Sequence, residues 1–211
     1  MTAEKKKSAD CGVISVYMEG NESVIHGEVP LYCAQDIIGV ETCEEDAEET
    51  LVQLSEKKAC ALRLDGHSTD NASQILFFRS IYRALGSGRC RNPIVAVIGG
   101  VVLPSELERV RKNASDARNG LTECGIPCGR LTAGVGIETP SSAILSDLLA
   151  PMSDFFVFDR EAVLSALDCR CSGAASRSHE EVADRCLKLT ASAAKREGIA
   201  VCRSVRRAVE K

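Results

Sequence analysis

The residues with the clearest potential for chemistry lie in the stretch GVGIETP, which ends at Pro140. Side chains alternate along a strand, so Gly134, Gly136 and Glu138 are expected on one face, where the glycines leave room beside the carboxylate. Thr139 suits a helix N-cap and Pro140 a first helical position, so Glu138 should stand where the strand gives way to a helix. It either belongs to a site at the strand end or merely stabilises the N-terminus of that helix.

Cysteine and histidine do not form a recognisable metal or disulfide pattern. The chain has 11 cysteines and no C-x-x-C pair, and the closest pairs are Cys124/Cys128 and Cys169/Cys171. Most of the others stand singly in apolar runs, so we expect reduced thiols that serve as small buried hydrophobes. Three histidines lie far apart in polar stretches and are expected at the surface: His26, His67 and His179.

Length and charge narrow the class of protein. With 211 residues, 45% hydrophobic and 27% charged, the chain is expected to form a single domain over residues 1–211. A net charge of −4 argues against nucleic acid or an anionic membrane surface as a partner. No apolar run approaches the length of a membrane span, and the lysine-rich start has no apolar segment after it. We therefore expect a cytoplasmic protein.

The elements that would position Glu138 alternate along the chain. Seven short β-rich runs are separated by helix-like segments, and they read VISVYM, DIIGVE, ACALRL, PIVAVI, GVGIE, DFFVF and GIAVC. Three of the intervening segments are clear helices, at residues 43–58, 103–124 and 179–198, whereas residues 19–35 have no clean period and stay unassigned. Alternation of this kind predicts a parallel sheet with helical crossovers, either an open doubly wound sheet or a barrel of the (β/α)8 kind.

A family resemblance favours the barrel. The stretch GVGIETPSSAILSDLLAPMSDFF resembles the V-E-[TI]-P-x-A motif, helix and D-F-F strand of the phosphoenolpyruvate-utilising barrel. That domain occurs in enzyme I of the sugar phosphotransferase system, in pyruvate phosphate dikinase and in phosphoenolpyruvate synthase. The order of motifs is similar over residues 36–203. The resemblance implies a TIM-type (β/α) barrel of about seven recognisable parallel strands, incomplete relative to the family because the eighth strand is missing.

The resemblance also implies roles for four residues. Glu138 matches a ligand of the Mg²⁺ that holds phosphoenolpyruvate, and Asp159 is the candidate for the second ligand, with a helix N-cap as its alternative. Arg63 matches the substrate-binding arginine, or else forms an ion pair with Glu138 or Asp65. Cys202 matches the cysteine that donates a proton, or else is a packing residue.

Other positions depart from the family. Glu41 stands at or beside the position at which the family has a binding arginine. Ala162 stands at the position of the family's second metal ligand. The expected function is therefore a divergent, non-catalytic or weakly ligand-binding barrel with a binding, regulatory or assembly role. The alternative is an active phosphotransferase barrel that works with a histidine domain on a separate chain. Both interpretations allow a small phosphorylated or carboxylate ligand, and we expect a homodimer because an incomplete barrel should leave an edge or helix face uncovered.

Overall fold

Six parallel strands form the sheet of the protein. The structure, a computed structural model, describes residues 10–16, 27–37, 43–168 and 177–205. Each parallel strand is bonded to the next in chain order. They are β2 (Gly27–Cys33), β3 (Cys60–Asp65), β4 (Ile94–Gly99), β5 (Thr132–Ile137), β6 (Phe155–Phe158) and β7 (Ala200–Val205).

The first strand joins the two edges of this curved sheet. Strand β1 (Asp10–Val16) runs antiparallel to β2 and also antiparallel to β7, so that the sheet closes into a barrel. Ile14, for example, is opposite Val29 of β2 and Ser204 of β7. Both edges of the parallel sheet thus find backbone hydrogen-bond partners in a single strand.

Helices connect the parallel strands. They are α1 (Ala34–Ile37), α2 (Glu44–Lys57), α3 (Asn71–Gly86), α4 (Pro104–Glu123), α5 (Pro140–Ile144), α6 (Ser146–Leu149), α7 (Arg160–Asp168) and α8 (Arg177–Glu197), with a 3₁₀ turn at Ala150–Met152. Local sequence fixes their starts, since the Asp70 carboxylate caps α3 by accepting from the Ser73 N–H at 2.9 Å. In the described residues, no helix is long and apolar enough to span a membrane.

The strands separate two apolar cores. One face of the sheet packs against the helices, as Leu62, Ile98 and Phe156 do. The alternate residues point into the barrel and form a smaller cluster of Val29, Leu31, Ala61, Val95, Val97, Phe155, Val157 and Cys202. This alternation means that polar residues on the inner face near the carboxyl ends of the strands share the mouth of the barrel.

The sequence predictions of the fold are confirmed in part. The α/β class and the helices near residues 43–58, 103–124 and 179–198 are found as predicted. A TIM-type barrel of about seven parallel strands is not confirmed, because among the described residues six strands run parallel and β1 runs antiparallel. The predicted strand DIIGVE is misplaced: its first two residues belong to α1, and the strand lies earlier, at Gly27–Cys33. The rest of that run, including Glu41, falls outside the described residues.

Candidate site at the barrel mouth

An arginine and a glutamate from the two strands that flank β4 form the centre of the candidate site. Arg63 lies near the carboxyl end of β3, and Glu138 follows the last residue of β5. The guanidinium donates from Nε to Glu138 Oε1 at 2.9 Å and from Nη2 to Oε2 at 2.8 Å. Such a two-point contact fixes the relative orientation of both groups.

The pair is only partly shielded from water. The side chains of Arg63 and Glu138 are 27% and 19% exposed. Burial alone disfavours the charged guanidinium, but the hydrogen bond and the charge of Glu138 outweigh that effect and raise the pKa of Arg63. The guanidinium of Arg63 therefore stays charged, and the contact remains open to a solute that enters the mouth.

Two glycines on the inner face make space for this ion pair. A Cβ at Gly99 would lie 2.6 Å from Nη2 of Arg63, and a Cβ at Gly136 would lie 3.0 Å from Oε1 of Glu138. Gly99 and Gly136 are neighbours on adjacent strands, because Ile98 pairs with Val135 one position earlier. A larger residue at Gly99 would push the guanidinium away from the carboxylate.

A third glycine contributes a backbone donor. Gly100 follows β4 with φ +68°, and its N–H donates to Oε2 of Glu138 at 3.2 Å. A Cβ at this position would lie 2.7 Å from Oδ1 of Asp65. Both the left-handed backbone and the close approach favour glycine here. The sequence analysis missed Gly100, although two glycines directly after an apolar strand are a recognisable sign of a tight turn.

Asp65 organises the loop that follows β3. Its Oδ1 accepts from the backbone N–H groups of His67 at 3.0 Å and Ser68 at 2.8 Å. Desolvation acts to raise the pKa of Asp65, but the hydrogen bonds from Ser68 and His67 and the charge of Arg63 outweigh it, so the pKa is lowered. Asp65 therefore supports the loop at the same rim as the ion pair.

Glu138 is not the cap of the helix that follows it. Thr139 takes that role, because its hydroxyl accepts from the Ser142 N–H at 3.0 Å, and Pro140 occupies the first helical position as predicted. The carboxylate of Glu138 instead contacts Arg63 over the end of β4. The alternative in which Arg63 forms an ion pair with Glu138 is the arrangement that the structure shows.

Asp159 occupies the neighbouring strand end. Its backbone N–H donates to the Ile137 carbonyl at 3.0 Å, which places it next to the residue that precedes Glu138. Its Oδ1 accepts from the Ala162 N–H at 2.9 Å, so it caps α7. The N-cap alternative of the sequence analysis is thus observed, and the adjacency to Glu138 is the feature that a shared cation would need.

Cys202 lies below the mouth, in the interior of the barrel. It pairs with Val157 in the sheet and is 3% exposed within the inner apolar cluster. Burial raises the pKa of the Cys202 thiol to about 12. This is the packing alternative of the sequence analysis, and a thiol with this pKa is a poor proton donor near neutral pH.

A histidine lies in the loop after β3. The Nδ1 atom of His67 is 3.0 Å from Oε1 of Glu106, and the histidine side chain is 71% exposed. Glu106 also accepts from the N–H groups of Val102 and Leu103 at the start of α4. The surface position expected for His67 is therefore observed, whereas its contact with Glu106, 39 residues away, is not predictable from local sequence.

Comparison with known proteins identifies relatives of the fold. No family model and no curated protein matches the chain. A citrate lyase of Burkholderia xenovorans LB400 is similar, with a TM-score of 0.56 and 16% identity over 85% of this chain and 56% of that one. The chain thus spans about half the length of that protein. At this level of identity the similarity shows the fold alone.

Two further structures resemble the chain more weakly. The citrate lyase beta subunit of M. tuberculosis, in complex with oxaloacetate and magnesium, has a TM-score of 0.45 and 15% identity over 83% of this chain and 67% of that one. An HpcH/HpaI aldolase/citrate lyase family protein of Burkholderia cenocepacia J2315 has a TM-score of 0.42 and 10% identity over 73% and 74%.

These comparisons correct the family prediction. The solved structure with the similar fold is a citrate lyase, which belongs to a different superfamily from the phosphoenolpyruvate-utilising barrels. The prediction of a divergent enzyme I-like barrel is therefore wrong, whether as a degenerate enzyme or as a binding module of that family. The alternative of an active phosphotransferase or kinase is wrong as well. The separate histidine domain was expected only under that interpretation. The described chain has the fold of a citrate lyase-like barrel.

Proposed function

We propose that the barrel mouth binds a small carboxylate anion together with Mg²⁺, through Arg63, Glu138 and Asp159. The observation that carries the proposal is the two-point Arg63–Glu138 contact at the carboxyl ends of the parallel strands. In barrels of parallel strands this end is where binding sites are built. We also infer that the barrel is a variant of the TIM type, in which β1 takes the place of the missing parallel strands.

The ion pair is suited to exchange its partners. A partly exposed pair contributes about 0–1 kcal/mol, so separating it costs little compared with the roughly 4 kcal/mol of a millimolar ligand. A guanidinium binds a carboxylate at two points, so the anion can take the place of Glu138 on Arg63. Glu138 is then left as a carboxylate that requires a new cationic partner.

The donor set at the mouth fits Mg²⁺. Glu138 and Asp159 would hold the ion, and their positions at adjacent strand ends supply two carboxylates. Among the described residues there is no cluster of three His, Cys, Asp or Glu side chains that could hold a metal. Mg²⁺ does not need one, since it is usually held by one or two carboxylates together with waters and ligand oxygens. When bound, the ion would neutralise the anion and polarise its carboxyl or carbonyl oxygens.

Titration calorimetry tests the proposal with oxaloacetate as the probe. We expect magnesium-dependent binding at about millimolar strength or tighter, with little heat when either component is added alone. Glu138→Gln and Asp159→Asn should each abolish the magnesium dependence, and asparagine keeps the N-cap of α7. Arg63→Lys should weaken binding at least tenfold, because lysine cannot make the two-point contact.

A matched control comes from the other end of the barrel. Asp154 precedes β6 and accepts from the Ala133 N–H at 2.7 Å, so Asp154→Asn makes the same charge change far from the mouth. Its affinity should equal that of the unaltered protein. No binding of oxaloacetate at about 10 mM with Mg²⁺ present, or binding that Glu138→Gln leaves unchanged, would refute the proposal. Release of pyruvate from oxaloacetate during the titration would extend it from binding to catalysis.

A further inference from the structure

Three large apolar side chains are exposed on neighbouring helices, and two of them, Ile144 and Leu189, line the same groove. Ile144 of α5, Leu148 of α6 and Leu189 of α8 are 63%, 52% and 48% exposed. Helix α8 packs against both α5 and α6, so the three side chains share one surface, which we call the α5–α8 patch. Adjacent exposed residues of this size are a mark of an interaction surface, whereas single ones are ordinary.

The exposure follows from how the short helices use their inner faces. Ala143 and Leu149 are fully buried toward the sheet, and Ala193 of α8 is 2% exposed. The exposed apolar residues of the patch therefore do not contribute to packing of the core. Between the helices lies a groove of about 650 Å³, which is lined by Ile144, Ser146, Asp147, Leu189, Ser192, Ala193, Lys195 and Arg196.

The groove carries both signs of charge around an apolar centre. Asp147 lies at its α6 side, and Lys195 and Arg196 lie in the last turn of α8. A two-fold interface places the same patch on both sides, so a residue of one copy meets a different residue of the other. With opposite charges within one patch, Asp147 of each copy can meet the basic end of α8 of the other. An unrelated partner would not require both signs on the same patch.

We infer that two copies of this chain associate through the α5–α8 patch about a two-fold axis. Ile144 and Leu189, which line the groove, form the apolar centre, and the charged residues form the rim. This inference is independent of the proposed ligand site, because the patch lies on helices outside the barrel. It gives the expected homodimer a definite surface.

Sedimentation velocity from about 5 to 200 µM tests the inference. We expect a reversible dimer whose dissociation constant lies in the tens of micromolar or below. Leu189→Ser should weaken it at least tenfold. The control is Leu103→Ser, since Leu103 is also 50% exposed but stands at the start of α4, outside the groove. Its dimerisation should be unchanged, and circular dichroism should show that both variants are folded.

Charge reversal tests the orientation of the two copies. Asp147→Lys, or Lys195→Glu together with Arg196→Glu, should each yield a protein that no longer self-associates. Mixing the two variants should restore a dimer that contains one copy of each, because opposite charges again face each other. A merely destabilised fold could not be rescued in this way.

Four results would overturn the inference. The first is a monomer at 200 µM, and the second is a dimer that Leu189→Ser leaves intact. The third is a monomer in which the Leu189 methyl groups are protected from a soluble paramagnetic probe, which would show that another segment of the same chain covers the patch. Rescue that fails although each variant is folded and monomeric would also contradict the two-fold arrangement.

Discussion

Replacing Gly99 by alanine tests whether the space left by this glycine on the inner face is what permits the Arg63–Glu138 pair. The new Cβ would lie 2.6, 2.7 and 2.8 Å from Nη2, Cζ and Nε of Arg63, and a Cβ atom makes no contact this short in a relaxed structure. The flexible side chain can swing away, but the two-point contact is then lost. We expect Gly99→Ala to lower the free energy of unfolding by about 1–2 kcal/mol, within the usual range for overpacking.

The effect of Gly99→Ala on the free energy of unfolding should change sign when the arginine is absent. In an Arg63→Ala background the three closest contacts disappear, and alanine is favoured over glycine in a strand by about 0.5–1 kcal/mol. The effect of Gly99→Ala should therefore shift from a loss to a gain, and the double-mutant cycle should give a coupling of about 2 kcal/mol. Urea denaturation of the four proteins, analysed as two-state unfolding, measures it.

Gly134→Ala is the matched control for this cycle. A Cβ there would lie 2.4 Å from the ring of Phe155 and not near Arg63, so its cost should be the same in both backgrounds. If Gly99→Ala lowers the free energy of unfolding as much without Arg63 as with it, the glycine does not act through the guanidinium. That result would refute the role assigned to Gly99 in making space for the ion pair.

Three other expectations follow from single contacts. Cys202, whose pKa is about 12 because it is buried, should resist alkylation at pH 8 until the protein unfolds, whereas the exposed Cys124 should react at once; equal rates measured by mass spectrometry would contradict this. The lowered pKa of Asp65 contributes stability that is complete above its unfolded pKa of about 4 and is lost as the pH falls through the lower folded pKa. Asp65→Asn should therefore destabilise the protein at pH 7 and make its stability less dependent on pH below 4, as acid titration monitored by circular dichroism would show. Thr139→Ala should lower the free energy of unfolding by about 1 kcal/mol, measured by urea denaturation, because α5 loses the N-cap that accepts from the Ser142 N–H. Thr139→Ser should lower it less.

The parts of the site that the sequence predicts are those fixed by local rules. Alternation along a strand placed Glu138 on the glycine-bearing face, and capping preferences placed Thr139 at the start of α5. The pairing of Glu138 with Arg63 is one of three interpretations of Arg63 that the sequence leaves open, beside substrate binding and an ion pair with Asp65. The two residues are 75 positions apart, and only the sheet order brings them together. Gly100 was missed because its role depends on a carboxylate from another strand.

The family prediction failed for a different reason. The I-E-T-P of this chain matches the V-E-T-P motif because both place a carboxylate at the end of a strand and then start a helix. Those local features are shared by barrels of different superfamilies, so the order and spacing of motifs identified the architecture more reliably than the lineage. The chemistry of the residues at the mouth is therefore a safer basis for a functional proposal than the resemblance was.

The closure of the barrel follows from the length of one connection. Strand β1 ends at Val16 and β2 begins at Gly27, which leaves ten residues between them. A parallel crossover needs a dozen or more residues and usually a helix, whereas antiparallel neighbours can be joined by a short link. The first strand was therefore bound to run antiparallel to β2, and its second edge then meets β7, where Val16 is opposite Cys202. One reversed strand thus joins the outer strands of the parallel sheet, whereas Arg63 and Glu138 meet because β3 and β5 both pair with β4 and Gly99 of β4 leaves room between them.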